Sequence, residues 1–141
     1  MKHSEESLRQ QIALGWVASL TLLATTLIGM LLQGMFTETD FVGLRTDPGY
    51  EGLFLLKILS GIYVFTAIGV YAFGSSRFFR WIGLILAILM FLLMVMHHLS
   101  HWMAGQRVGI VSHLMDVFHH VSMGWVVLNS FRWARYPKTT Q

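Results

Sequence analysis

Six of the seven histidines fall within 24 residues, at positions 97, 98, 101, 113, 119 and 120, and Asp116 lies among them. Imidazole is the side chain best suited to ligate a metal or pass a proton near neutral pH. The two motifs are H-H-x-x-H, from His97 to His101, and H-x-x-D-x-x-H-H, from His113 to His120. At about 100° per helical residue, Met90, Met94, His97, His98 and His101 share a stripe about 100° wide. His113, Asp116, His119 and His120 share another of about 120°. With a turn between Gly105 and Gln106, His98 and His113 lie at equal depth, roughly 10 Å below it at 1.5 Å rise per residue. His101 is nearer the surface, Met94, Met96, Met115 and Asp116 form the next layer inward, and His119 and His120 lie deeper still.

Three chemistries suit this pattern. The first is haem b: imidazoles from two facing helices can hold iron in a bundle. His98 and His113 are then the axial ligands, His97 is the substitute for His98, and His120 with Asp116 serves a second cofactor, a quinone or a proton. The second is a copper, zinc or iron ion held by His97, His101, His113, Asp116 and His120. Met94 and Met115 at the same level add thioethers, which favour Cu(I). The third is interhelical hydrogen bonding, worth about 1 kcal/mol per contact in a membrane, in an accessory or assembly subunit with no chemistry of its own. Without cysteine there is no thiolate metal site, iron–sulfur cluster or disulfide. No serine nucleophile stands in a recognisable motif, no glycine-rich phosphate loop is present, and no catalytic residue is assigned.

The elements that must carry these residues follow from the charges. Hydrophobic residues make up 55% of the 141 and charged residues only 12%, about half the usual soluble fraction. Uncharged runs of 28, 19 and 26 residues separate Arg9 from Glu38, Lys57 from Arg77 and Arg80 from Arg107, and Val108 to Phe131 holds one acid, Asp116. A spanning helix needs about 20 mostly apolar residues. The prediction is one all-α integral membrane domain over 1–141, a four-helix transmembrane bundle with spans near 11–35, 53–74, 79–104 and 108–132. The first span is too long for a signal-peptide core, and no small-residue cleavage pattern follows it.

Lysine and arginine give the orientation. Lys2, Arg9, Arg77, Arg80, Arg132, Arg135 and Lys138 fall on one side, against Arg45, Lys57 and Arg107 on the other. Both termini are therefore expected in the cytoplasm, in a bacterial inner membrane. Trp81, Trp133 and Tyr136 are expected at the inner interface, and Tyr50 and Trp102 at the outer one. The net charge of +3 is thus topological and calls for no nucleic-acid partner. Asp47-Pro48-Gly49 signals a turn in the outer loop, and Ala104 to Arg107 reads as a tight hairpin. Gly29, Gly34, Gly61 and Gly69 read as close-packing positions, making the first two helices a scaffold or a docking face for a partner subunit or a second copy.

Two short motifs carry a resemblance. His120-x-x-x-Gly124 and His98-Leu-Ser-His101-Trp102 resemble pieces of small four-helix b-type cytochromes, which include cytochrome b561-like proteins and the cytochrome b subunits that anchor respiratory dehydrogenases. The likeness covers about 30 residues. It implies haem bound by a histidine pair from different helices and electron exchange with quinone. The first two spans lack the histidine common in those families. Asp116-Val-Phe-His119-His120 also resembles the H-x-x-H-H boxes of membrane di-iron hydroxylases, with aspartate leading.

Overall fold

The computed structural model describes residues 4–37, 50–74, 76–103 and 110–137. It contains four helices, α1 (Glu5–Thr37), α2 (Tyr50–Ala72), α3 (Arg77–Met103) and α4 (Ile110–Ala134), and no strand among the described residues. The outer-loop turn at Asp47-Pro48-Gly49 and the hairpin at Ala104 to Arg107 lie outside the described residues. Gly29, Gly34 and Tyr50 lie within helices, but their side-chain positions are likewise outside them.

The helices begin where capping chemistry starts them. Ser4 precedes α1, and its Oγ accepts the Ser7 amide at 3.1 Å, while Glu5 and Glu6 occupy the positive first turn. This cap starts α1 six residues before the apolar run begins. At the end of α2, the Phe73 amide donates to Gly69 at 2.9 Å, and the Arg9 guanidinium donates to the carbonyls of Val70, at 3.2 Å, and Tyr71. A cation thus satisfies carbonyls that a helix C-terminus leaves unpaired. A Cβ on Gly74 would meet that guanidinium, which would have to shift aside.

Backbone packing joins α1 to α2, α2 to α3, α3 to α4 and α4 to α1; among the described residues the diagonal pairs do not approach backbone to backbone. Neighbours are antiparallel. Trp16 of α1 meets Tyr63 of α2 edge-to-face at 4.8 Å, and Tyr63 donates to Met94 Sδ of α3 at 3.7 Å. Phe91 of α3 meets His120 of α4 at 6.2 Å. Ser122 of α4 donates to the Gly15 carbonyl of α1 at 3.0 Å. The up-down-up-down order puts Glu5, the α2–α3 connection and Trp133 at one end, and the end of α3 with the start of α4 at the other.

The close approach is at Gly15. A Cβ there would lie 2.5 Å from Val126 Cγ2, so a bare backbone is what lets α1 lie against α4. Gly61 and Gly69, expected at tight contacts, have open space beside them. The core of Leu8, Ile12, Trp16, Tyr63, Val70, Ala87, Met90, Met123, Val126 and Trp133 fills the half of the bundle toward the termini. Trp133, expected at the membrane interface, is fully buried there.

Among the described residues, an ion pair closes that end. Arg80 Nη2 donates to Glu5 Oε1 at 2.7 Å and Nη1 to the Tyr136 carbonyl at 3.1 Å. Trp133 Nε1 donates to the same Glu5 oxygen at 3.3 Å, and the guanidinium lies 5.7 Å from the Trp133 ring centre. Arg80 is only 3% exposed, so this pairing is what makes its burial tolerable.

Large apolar side chains lie on the outside of the bundle as well as in its core. Buried polar residues include Ser19, Thr66, Asn129 and Ser130, whereas Leu14, Phe65, Ile68, Leu92, Val121 and many other large apolar side chains are exposed. One helical stretch among the described residues, Arg77–Leu99 in α3, is long and apolar enough to cross a membrane; α2 holds a shorter apolar stretch, Ile58–Ala72.

Candidate functional site

The polar stripes of α3 and α4 meet at the end away from the termini. His98 stands in the last two turns of α3, and Asp116 in the second turn of α4. His98 Nδ1 and Asp116 Oδ2 are 3.2 Å apart. The His98 ring centre is 6.1 Å from that of His113 and 5.7 Å from that of His120, with interplanar angles of 69° and 77°. One α3 imidazole therefore faces two α4 imidazoles and a carboxylate.

Hydrogen-bond chemistry fixes the tautomers. His120 Nδ1 lies 2.7 Å from the main-chain carbonyl of Asp116, one turn back. A carbonyl only accepts, so His120 Nδ1 carries the proton and donates. An ionised Asp116 also only accepts, so His98 donates from Nδ1 to it. In the neutral rings Nε2 is then the lone-pair nitrogen on both His98 and His120. A metal-ligating histidine typically has this arrangement, with its second nitrogen donating to a carboxylate or carbonyl. Phe91 packs its edge on His120 and holds the ring from the α3 side. The side chains of His98 and Asp116 are 40% and 36% exposed, so the pair lies at a mouth rather than in the core.

The other predicted residues fall around this centre. His113 is exposed beside His98. His97 is exposed on the neighbouring face of α3. His101 is one turn further along the same helix, and its side chain lies outside the described residues. His119 is half-buried, and its Nε2 is buried without a hydrogen-bond partner among the described residues. Among the described residues no group of three or more histidines and carboxylates is gathered closely enough to hold a metal ion. Met94, considered as a thioether ligand, instead accepts the hydroxyl of Tyr63.

Two contributors were not singled out from the sequence. Phe91 supports His120 from i−7 of His98, a position that reads as ordinary apolar packing. The Asp116 carbonyl orients His120, and only the i, i+4 spacing of the two residues hints at that bond. Gly124, one turn after His120, has nothing within 4 Å of where a Cβ would stand, leaving space on that face of α4. No family model matches the chain, and neither a curated protein nor a solved structure matches it.

Proposed function

We propose that this chain is an integral membrane b-type cytochrome, or an electron-transfer subunit, that holds haem b at the α3–α4 seam and exchanges electrons with quinone. The membrane part of the reading is supported by the apolar exterior: contiguous exposed Leu, Ile, Phe and Val around four helices would be an aggregation surface in water and is ordinary in lipid. All four helices are taken as spans. Arg9, Arg77, Arg80, Arg132 and Arg135 share the end of the bundle that carries both termini, which by the positive-inside rule is cytoplasmic. The membrane is then the inner membrane of a bacterium, and the histidine mouth faces outward.

The observation that carries the cofactor is the pairing of His98 with His120. Both have Nδ1 engaged by an oxygen and Nε2 left as a ligand atom. Their ring centres stand 5.7 Å apart across the α3–α4 seam. The donor set suits haem better than a bare ion. A zinc-type site needs three or four protein ligands, which the described residues do not gather, whereas haem iron needs at most two. Bound haem would supply a one-electron couple. His98 and His120 would ligate it, His113 stands as the alternative to His120, and Asp116 would fix the His98 ring and raise its basicity. Gly124 leaves room beside the pair. The resemblance to b561-like cytochromes points the same way.

Magnetic resonance of the oxidised protein tests the ligand pair. A low-spin ferric signal in wild type that turns high-spin in His98→Ala and in His120→Ala is the expected result. A low-spin signal that survives in His120→Ala and is lost in His113→Ala moves the second ligand to His113. Survival in His98→Ala removes the α3 ligand and with it this site.

A further inference from the structure

At the opposite end of the bundle, two adjoining hollows lie where α3 begins and α4 ends. One, of about 350 Å³, is lined by Arg77, Trp81, Phe131, Ala134 and Arg135. The other, of about 260 Å³, shares Arg77, Ala134 and Arg135 and is completed by Arg80, Tyr136 and Pro137. Among the described residues no carboxylate lines either one. The arginines differ in their commitments: Arg80 is taken up by Glu5, whereas Arg77 and Arg135 have no carboxylate partner among the described residues. Arg135 lies 5.3 Å from the Phe131 ring centre, which keeps its guanidinium over the cleft wall. Trp81 and Phe131 are each nearly half exposed, at 42% and 44%. The amides of the first turn of α3 add the positive end of a long helix.

Two unpaired guanidiniums above an exposed tryptophan and phenylalanine form an amphipathic cleft with an anion-binding rim and an apolar floor. A guanidinium offers a planar fork that matches phosphate oxygens. Basic pockets between membrane helices on the cytoplasmic side suit anionic headgroups. We propose that this cleft binds the phosphate of an anionic phospholipid, with Arg77 and Arg135 taking the phosphate oxygens and Trp81 and Phe131 lying against the glycerol and acyl chains. The proposal rests on the reading that the chain spans a membrane with this end in the cytoplasm. It is independent of haem. The first turn of α3 and the last of α4 would be held together by the lipid, beside the Glu5–Arg80 pair that joins them to α1.

The test has two stages. Alkaline extraction of membranes from cells making the full chain addresses the membrane reading: retention in the pellet supports it, and release into the supernatant overturns that reading and this proposal together. Purified protein is then placed in nanodiscs of zwitterionic phosphatidylcholine containing increasing phosphatidylglycerol or cardiolipin, and thermal unfolding is followed. Wild type should be stabilised as anionic lipid rises. At about 1 kcal/mol for each arginine near the headgroups, apparent affinity should fall about fivefold in Arg77→Gln or Arg135→Gln and about 25-fold in the double variant. Arg132→Gln, which removes the same charge outside the cleft, should lose clearly less than either cleft variant. The variants' unfolding in phosphatidylcholine alone checks that they fold. Equal loss in Arg132→Gln would make the effect one of overall charge and overturn the site. Equal stabilisation of wild type by inorganic phosphate in phosphatidylcholine nanodiscs would make the ligand free phosphate and overturn the lipid.

Discussion

The pair that closes the terminal end permits a quantitative test of how the bundle is held. Arg80 is nearly buried, its side chain 4% exposed, and its one carboxylate partner is Glu5 at 2.7 Å, itself 23% exposed. Glu5→Ala removes that charge and also the acceptor for Trp133 Nε1. Breaking a buried pair from one side costs about 3–5 kcal/mol because the remaining charge is left uncompensated. The Tyr136 carbonyl and the Trp133 ring stay in place beside Arg80, which puts Glu5→Ala at the low end, about 3 kcal/mol. Glu5→Gln keeps an acceptor and loses only the charge, so it should cost about 1–2 kcal/mol. Arg80→Met leaves a carboxylate that water reaches and that Trp133 still bonds, for about 1 kcal/mol. Exchange of both, Glu5→Leu with Arg80→Met, should lie within about 1 kcal/mol of wild type, since a buried ion pair replaced by apolar groups of similar volume is often neutral. The assay is equilibrium unfolding in mixed detergent micelles, followed by tryptophan fluorescence; Trp16 and Trp133 are both buried and report on this half of the bundle. Glu5→Leu alone removes the same charge and acceptor as Glu5→Ala and should cost a similar amount, about 3 kcal/mol, so a coupling of about 3 kcal/mol with Arg80→Met is expected. A double variant whose loss equals the sum of the singles would show that the two residues do not act as a pair, and the reasoning about the closed end would be wrong.

Other predictions follow from the same geometry. Gly15→Ala should destabilise the fold by about 1–3 kcal/mol through overpacking against Val126, whereas Gly124→Ala, with open space around it, should be neutral or stabilising by up to about 1 kcal/mol; unfolding of the two variants in parallel checks the contrast. Asp116→Ala should leave the helical content unchanged and weaken cofactor binding by about 10–100-fold, the usual cost of losing a residue that orients a ligand, with a smaller loss in Asp116→Asn; haem titration into depleted protein measures both. Reporters fused before Met1 and after Gln141 should both behave as cytoplasmic, and a C-terminal reporter active only outside the cytoplasm contradicts the proposed orientation.

The meeting of His98 with His113 was legible in the sequence because only six residues separate α3 from α4. With two antiparallel neighbours so closely linked, sequence distance from the connection measures depth, and His98 and His113 do stand opposite each other, at 6.1 Å. The polar stripes likewise brought Asp116 to His98. What periodicity does not give is how each helix is turned about its own axis, since that depends on its neighbours. Met94 lies on the histidine stripe, yet the Tyr63 hydroxyl from α2 meets its sulfur. His119 and His120 are adjacent, yet one bonds the Asp116 carbonyl and the other buries an unpaired nitrogen. For α1, apolar on every side, no face could be chosen, so the close contact at Gly15 went unread while the open Gly61 and Gly69 were favoured. Trp133 was placed at the interface by its position near a span end; the acceptor on Glu5, 128 residues earlier in the chain, is what draws its indole inside.

The most direct test of the central claim is the optical spectrum of the full chain, made with ample haem supply, purified in mild detergent and recorded oxidised and after dithionite. A Soret band and a sharp α-band on reduction are expected in wild type, both lost in His98→Ala. Wild-type protein that is folded and lacks haem under these conditions would contradict that claim, and would leave the His98–Asp116 contact as a hydrogen bond between two membrane helices.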